Sequence, residues 1–131
     1  MMTSQLTHGA RAIVAPGSLH ALVNVSSGLG SLTMLTDPKV RFADLNNAAY
    51  QSSKTALNAL TVLYAKDLAK DGFKVNAVSP GYRATELDGG LPTPGAGDPA
   101  EGAQVAVRMA LIGEHGPTAE FHSDAGTVYP W

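Results

Sequence analysis

The sequence predicts an α/β fold, a short parallel sheet of about three strands with helices packed against it. Three observations carry this. Two brief apolar, β-branched runs, over 21–25 and 73–78, each end in a turn signal, Ser-Ser-Gly after the first and Pro80-Gly81 after the second. Between them, residues 49–71 repeat apolar side chains at helical spacing. A further helix and a short strand then follow, and such alternation favours parallel strands joined by right-handed crossovers. At 131 residues the chain is long enough for one core, and a single domain over 1–131 is expected.

Taken in order, residues 2–14 suit a short helix that Pro16-Gly17 stops. The run over 21–25 reads as a buried strand. Residues 31–47, with Asp37-Pro38 and Asn46-Asn47, read as a long loop. The helix over 49–71 is marked by Ala56, Leu57, Leu60, Leu63, Tyr64 and Leu68. Lys66 and Lys70 suit its negative end, and Gly72 stops it. The second strand spans 73–78. Residues 87–97, rich in Gly and Pro, read as loop. Asp98, Pro99 and Glu101 then open a helix that runs to about 112, and 118–121 form a short third strand.

Composition excludes several functions. Apolar residues make up 44% and charged residues 15%, a globular balance. With 9 basic and 11 acidic residues there is no basic stripe for a phosphate backbone, so no nucleic-acid partner is expected. The absence of cysteine removes disulfides, thiolate nucleophiles and cysteine-bound metals. His8, His20, His115 and His122 lack paired ligand spacing and read as surface or loop residues, so no metal site is expected. No run approaches the ~20 apolar residues that span a bilayer, and no signal peptide is evident. A cytoplasmic protein without membrane association is expected.

Three segments suit chemistry. Tyr50 and Lys54 are four apart and share a helix face. A phenol titrates near 10 in water, and a neighbouring ammonium favours the phenolate, which suits proton exchange nearer neutrality. A half-buried Tyr beside a solvated Lys is the plain alternative. Asn24-Val25-Ser26-Ser27 ends the first strand, where open parallel sheets bind ligands, although Ser-Ser-Gly also makes an ordinary turn. The segment Asn76 to Thr85 ends the second strand, and its Pro80-Gly81 turn leaves backbone groups free for a ligand or is simply a loop.

Asn-Val-Ser-Ser, then Tyr-x-x-Ser-Lys, then Val-Asn-x-Val-x-Pro-Gly, in that order, resembles the short-chain dehydrogenases/reductases, from about Ala21 to the end of the chain. The resemblance implies a truncated, Rossmann-like, carbonyl-reductase-like catalytic half that lacks the first dinucleotide-binding half. It implies Tyr50 as proton donor or acceptor. It implies that Lys54 assists Tyr50 and holds the nicotinamide ribose, and that Ser27 orients the substrate oxygen. Pro80, Gly81 and Thr85 would line the nicotinamide. The cofactor it implies is NADP or NAD; the missing glycine-rich turn leaves open that none binds. Gly28-Leu29-Gly30 lacks the third glycine of a dinucleotide fingerprint.

The expected function is carbonyl/alcohol interconversion of a small-molecule substrate, impaired by the absent diphosphate site. Two alternatives stand beside it: a non-redox isomerase, dehydratase or cyclase using the same residues, and a non-catalytic binding or assembly protein. Ser27, Tyr50 and Lys54 should converge at the carboxyl end of the sheet. The strand over 21–25 should be an unprotected edge, and a homo-oligomer is expected. Its contact would run through the long helix, which carries Ala56, Ala59, Leu60, Leu63 and Ala65, or through paired edges.

Overall fold

The computed structural model describes residues 20–85 and 94–131. The helix expected over 2–14 and residues 87–93 of the expected loop lie outside them. The elements run in the order β1 (His20–Val25), a single helical turn α1 (Leu32–Leu35), α2 (Ala48–Asp67), β2 (Phe73–Ser79), α3 (Pro99–Ala110), β3 (Phe121–Ser123) and β4 (Val128–Tyr129). They form one sheet in the order β1-β2-β3-β4. β1 and β2 are parallel, with Leu22 opposite Val75 and Val25 opposite Val78. β2 and β3 are also parallel, with Ala77 opposite Phe121.

The fourth strand exceeds the three expected and is antiparallel, with Phe121 opposite Tyr129. Gly126, at φ 85°, makes its hairpin turn, where Ser123 Oγ meets Thr127 Oγ1 at 2.7 Å.

Successive strand residues face opposite layers. On one side Leu22 and Val75 pack with Tyr64, Ala65 and Leu68 of the α2 region. On the other, Val23 and Val78 pack with Val105, Ala106 and Met109 of α3. Val75, Val78, Val105 and Phe121 are fully buried, each worth about 1.5–3 kcal/mol. β1 is only half-buried, unlike the buried strand expected, because among the described residues β2 is its one neighbour in the sheet.

The helix ends follow their capping chemistry. Asn47 Oδ1 accepts from the Tyr50 N–H at 3.2 Å, while Gln51 Oε1 accepts from the Asn47 N–H at 2.7 Å. Beyond Asp67 the chain tightens into a 3₁₀ turn, Ala69–Asp71, and Gly72 ends it at φ 77°. Asp98 Oδ1 caps α3 by accepting from the Ala100 N–H, with Pro99 in the first turn. α3 ends at Ala110, two residues before the expected 112.

The third strand starts three residues later than the expected 118. Residues 117–120 reach β2 through both backbone and side chain: the Ala119 N–H donates to the Val75 carbonyl at 2.8 Å and the Ala77 N–H to the Glu120 carbonyl at 2.9 Å, while Asn76 Nδ2 donates to the Pro117 carbonyl at 2.9 Å and Asn76 Oδ1 accepts from the Glu120 N–H at 3.1 Å. Ala119, at φ 59°, breaks the extended run. Two histidines expected on loops or surface, His20 and His122, lie on strands, where the His20 ring meets Phe73 at a tilt and His122 pairs with Glu120. Among the described residues no helix is long and apolar enough to cross a membrane, and no group of acidic or histidine side chains is arranged to hold a metal ion.

Candidate active site

The carboxyl ends of β1 and β2 lie side by side, and Ser26 N–H donates to the Val78 carbonyl at 2.7 Å beyond the last strand pair. Ser27 follows at the mouth of the sheet. Its Oγ accepts from the Leu29 N–H at 3.2 Å, which opens a 3₁₀ turn, Gly28–Gly30. A hydroxyl that accepts in this way still has its own proton to donate. The Gly28 N–H donates to Ser79 Oγ at 3.2 Å, so the ends of the two strands are tied directly.

This turn packs against α2 with no space for a side chain at Gly30, since a Cβ there would stand 2.7 Å from the Lys54 carbonyl carbon. Thr55 Oγ1 also donates to the Gly30 carbonyl at 2.9 Å.

Tyr50 lies in the first turn of α2 and Lys54 one turn on. The Lys54 ammonium donates to the Val25 carbonyl at 3.0 Å and stands 5.7 Å from the centre of the Tyr50 ring. The carboxyl end of β1 thus carries Val25, Ser26 and Ser27, with the Lys54 ammonium held against it and the Tyr50 ring within that ammonium's reach.

Pro80 and Gly81 follow β2, and Gly81 adopts φ 76°, which a residue without a Cβ tolerates best. Arg83 pins this turn. Its Nε donates to the Pro80 carbonyl, and its two terminal nitrogens reach Glu101 at 3.1 Å and Asp124 at 2.5 Å. Thr85 is exposed at the end of the same segment.

Several residues at this end of the sheet carry no local sequence signal. Glu101 and Asp124 lie 18 and 41 residues from Arg83, so their pairing follows only from the fold. Ser26, Asn58 and Thr61, buried beneath the site, read in sequence as turn and helix-surface residues. Tyr129 and Phe42 close on Gly28: a Cβ there would stand 3.6 Å and 3.2 Å from their rings. Burial pushes the Tyr129 phenol above its ordinary value, the Asp124 carboxylate adds to this, and a hydrogen bond with Ser123 opposes it. Ser123, Asp124, Gly126 and Thr127 are a turn signal between two short apolar runs, which could have revealed the β3–β4 hairpin and so Tyr129.

The described helix N-termini offer no place for a diphosphate. Asn47 and Gln51 close the first turn of α2, and the Asp98 carboxylate occupies that of α3.

Comparison with known proteins bears on the assignment. The family profile described as Enoyl-(Acyl carrier protein) reductase matches residues 8–122. Salutaridine reductase of Papaver bracteatum is 43% identical over 75 residues, which cover 57% of this chain and 22% of that protein. The C-signal protein of Myxococcus xanthus is 32% identical over 130 residues, covering 99% of this chain and 70% of that one. Two solved structures share the fold. One is the NADPH-bound carbonyl reductase from chicken fatty liver, at TM-score 0.69 and 24% identity over 86% of this chain and 45% of that one. The other is landomycin C-6 ketoreductase LanV with bound NADP and rabelomycin, at TM-score 0.63 and 26% identity over 90% of this chain and 44% of that one. The chain thus spans less than half the length of both solved structures and about a fifth of salutaridine reductase.

Proposed function

Because the chain belongs to the short-chain dehydrogenase/reductase family, we propose that it carries the acid/base half of a nicotinamide-dependent site that interconverts a carbonyl and an alcohol. The observation that supports this most strongly is the placement of Lys54, its ammonium 3.0 Å from the Val25 carbonyl and 5.7 Å from the Tyr50 ring. In this reading Tyr50 gives its phenolic proton to the substrate oxygen in reduction and recovers it in oxidation. Lys54 stabilises the phenolate that remains. Ser27, its lone pair taken by the Leu29 N–H, donates its hydroxyl proton to the same substrate oxygen and fixes its direction.

The donor set fits the nicotinamide-ribose end of NADP or NAD. Lys54 would hold the ribose hydroxyls, and Pro80, Gly81 and Thr85 would line the ring. When bound, the nicotinamide supplies the hydride to the carbonyl carbon. The described residues do not fit the diphosphate, because capping side chains close the N-termini of the two long helices, α2 and α3. Cofactor binding by this chain alone should therefore be weak.

The same closed N-termini favour a second reading, in which Tyr50, Lys54 and Ser27 move protons in an isomerase, dehydratase or cyclase without a hydride carrier. One assay separates the two. The purified chain is incubated with a panel of ketones, with and without millimolar NADPH or NADH. The first reading expects product only with nicotinamide and a loss of at least about 100-fold in Tyr50→Phe. Turnover without nicotinamide that disappears in Tyr50→Phe supports the second. Turnover that survives in Tyr50→Phe overturns both.

A further inference from the structure

Toward the carboxyl end of β1, beyond the apolar contact of Leu22, the seam with α2 turns polar where a sheet and a helix ordinarily meet through apolar side chains. Ser26 Oγ donates to Asn58 Oδ1 at 2.6 Å, and Asn24 Nδ2 donates to Thr61 Oγ1 at 2.9 Å. Ser26, Asn58 and Thr61 are 3%, 4% and 0% exposed, so these bonds form away from water. Apolar contact is non-directional, whereas a hydrogen bond holds its partners to a narrow range of distance and angle. A helix joined to a strand in this way has its rotation and its slide along the strand fixed.

What the seam fixes is the row above it. Tyr50, Lys54 and Asn58 follow one another at four-residue steps along α2 and share nearly one face. Ser26 sits between Val25, whose carbonyl receives the Lys54 ammonium, and Ser27. The Ser26 hydroxyl also lies 3.5 Å from the Lys54 carbonyl. Stability alone does not account for Asn58. Its Nδ2 is buried without a hydrogen-bond partner among the described residues, a cost that an apolar side chain would not incur.

We propose that Ser26 and Asn58 are positioning residues, whose hydrogen bond sets where the Tyr50–Lys54 pair stands over the carboxyl end of β1. This rests on the reading of Tyr50 and Lys54 as the acid/base pair. The bond holds the helix at the register that brings the Lys54 ammonium to the Val25 carbonyl. Without it, apolar packing still holds α2 on the sheet, but the helix turns and slides, and the lysine leaves the phenol.

The test uses Ser26→Ala, Ser26→Thr and Asn58→Leu in the whole chain, with two readouts. The first is NMR cross-peaks from the Lys54 ε-protons to residues 25–27, which need no activity. The second is kcat and KM for ketone reduction with NADPH. Ser26→Ala should stay folded, weaken those cross-peaks and lower kcat by about 10- to 100-fold while KM changes by less than about 2-fold, as a displaced acid/base group would. Ser26→Thr, which keeps a hydroxyl, should restore both. Folded Ser26→Ala with unchanged cross-peaks and unchanged kcat overturns the proposal, whether or not Asn58→Leu folds. If the wild-type chain reduces no ketone, the proposed function fails, and the cross-peaks alone still decide the positioning role.

Discussion

Tyr129 shows how one side chain couples the end of the sheet to solution conditions. It pairs through β4 with Phe121, and their rings meet edge to face at 5.4 Å. Its phenol is raised above the ordinary 10.0, first by burial and then by Asp124, so folding favours the protonated form. The stability this contributes is fully present below pH about 10 and is lost as the pH rises through the higher folded value. Unfolding midpoints measured from pH 8 to 11.5 should fall at the alkaline end, and Tyr129→Phe should flatten that fall. Because the phenol is only partly buried, the effect should be small.

At the scale of elements, β1 and α2 decide what the chain can do. Among the described residues β1 is a sheet edge, with Val25 half exposed and neither lysine nor proline within the strand. α2 turns Leu60 and Leu63 outward, 43% and 52% exposed, together with Ala56 and Ala59. Ala65, grouped with them in the sequence, instead faces the core at 4% exposure. We propose that the outward face of α2 joins two copies. Sedimentation at micromolar concentration should give a dimer, and Leu63→Glu should shift it toward monomer. A single folded species at monomer mass in the unaltered chain contradicts this.

The same two elements show what the sequence made legible. The strands over 21–25 and 73–78, their parallel pairing and the limits of α2 to within a few residues follow from β-branched runs, turn signals and the Gly72 stop. The buried stripe of α2 did not. Its inward positions include Gln51, Asn58 and Thr61, polar residues that periodicity assigns to solvent; Ser26 and Asn24 make Asn58 and Thr61 buriable, and the Asn47 N–H and Leu45 carbonyl do so for Gln51. The hairpin of β3 and β4 escaped because two- and three-residue strands carry too few alternations to register. Tyr50, Lys54, Ser27 and the Pro80-Gly81 turn were legible as ordered motifs. The ion pairs of Arg83 were not, since they join segments far apart in the chain.

For the molecule as a whole, the central claim is that this chain carries the nicotinamide end of a reductase site without a diphosphate cradle among its described residues. Its two sheet faces are covered by α2 and α3, and both helices present capped N-termini. The most direct test separates the cofactor into its ends. The isotope-labelled chain is titrated by NMR with reduced nicotinamide mononucleotide and, in a second sample, with ADP-ribose, each to several millimolar. The account predicts saturable shifts at Ser27, Lys54 and Gly81 with the mononucleotide and none with ADP-ribose. Shifts with ADP-ribose at the N-terminus of α2 or α3, or no response to the mononucleotide, would contradict it.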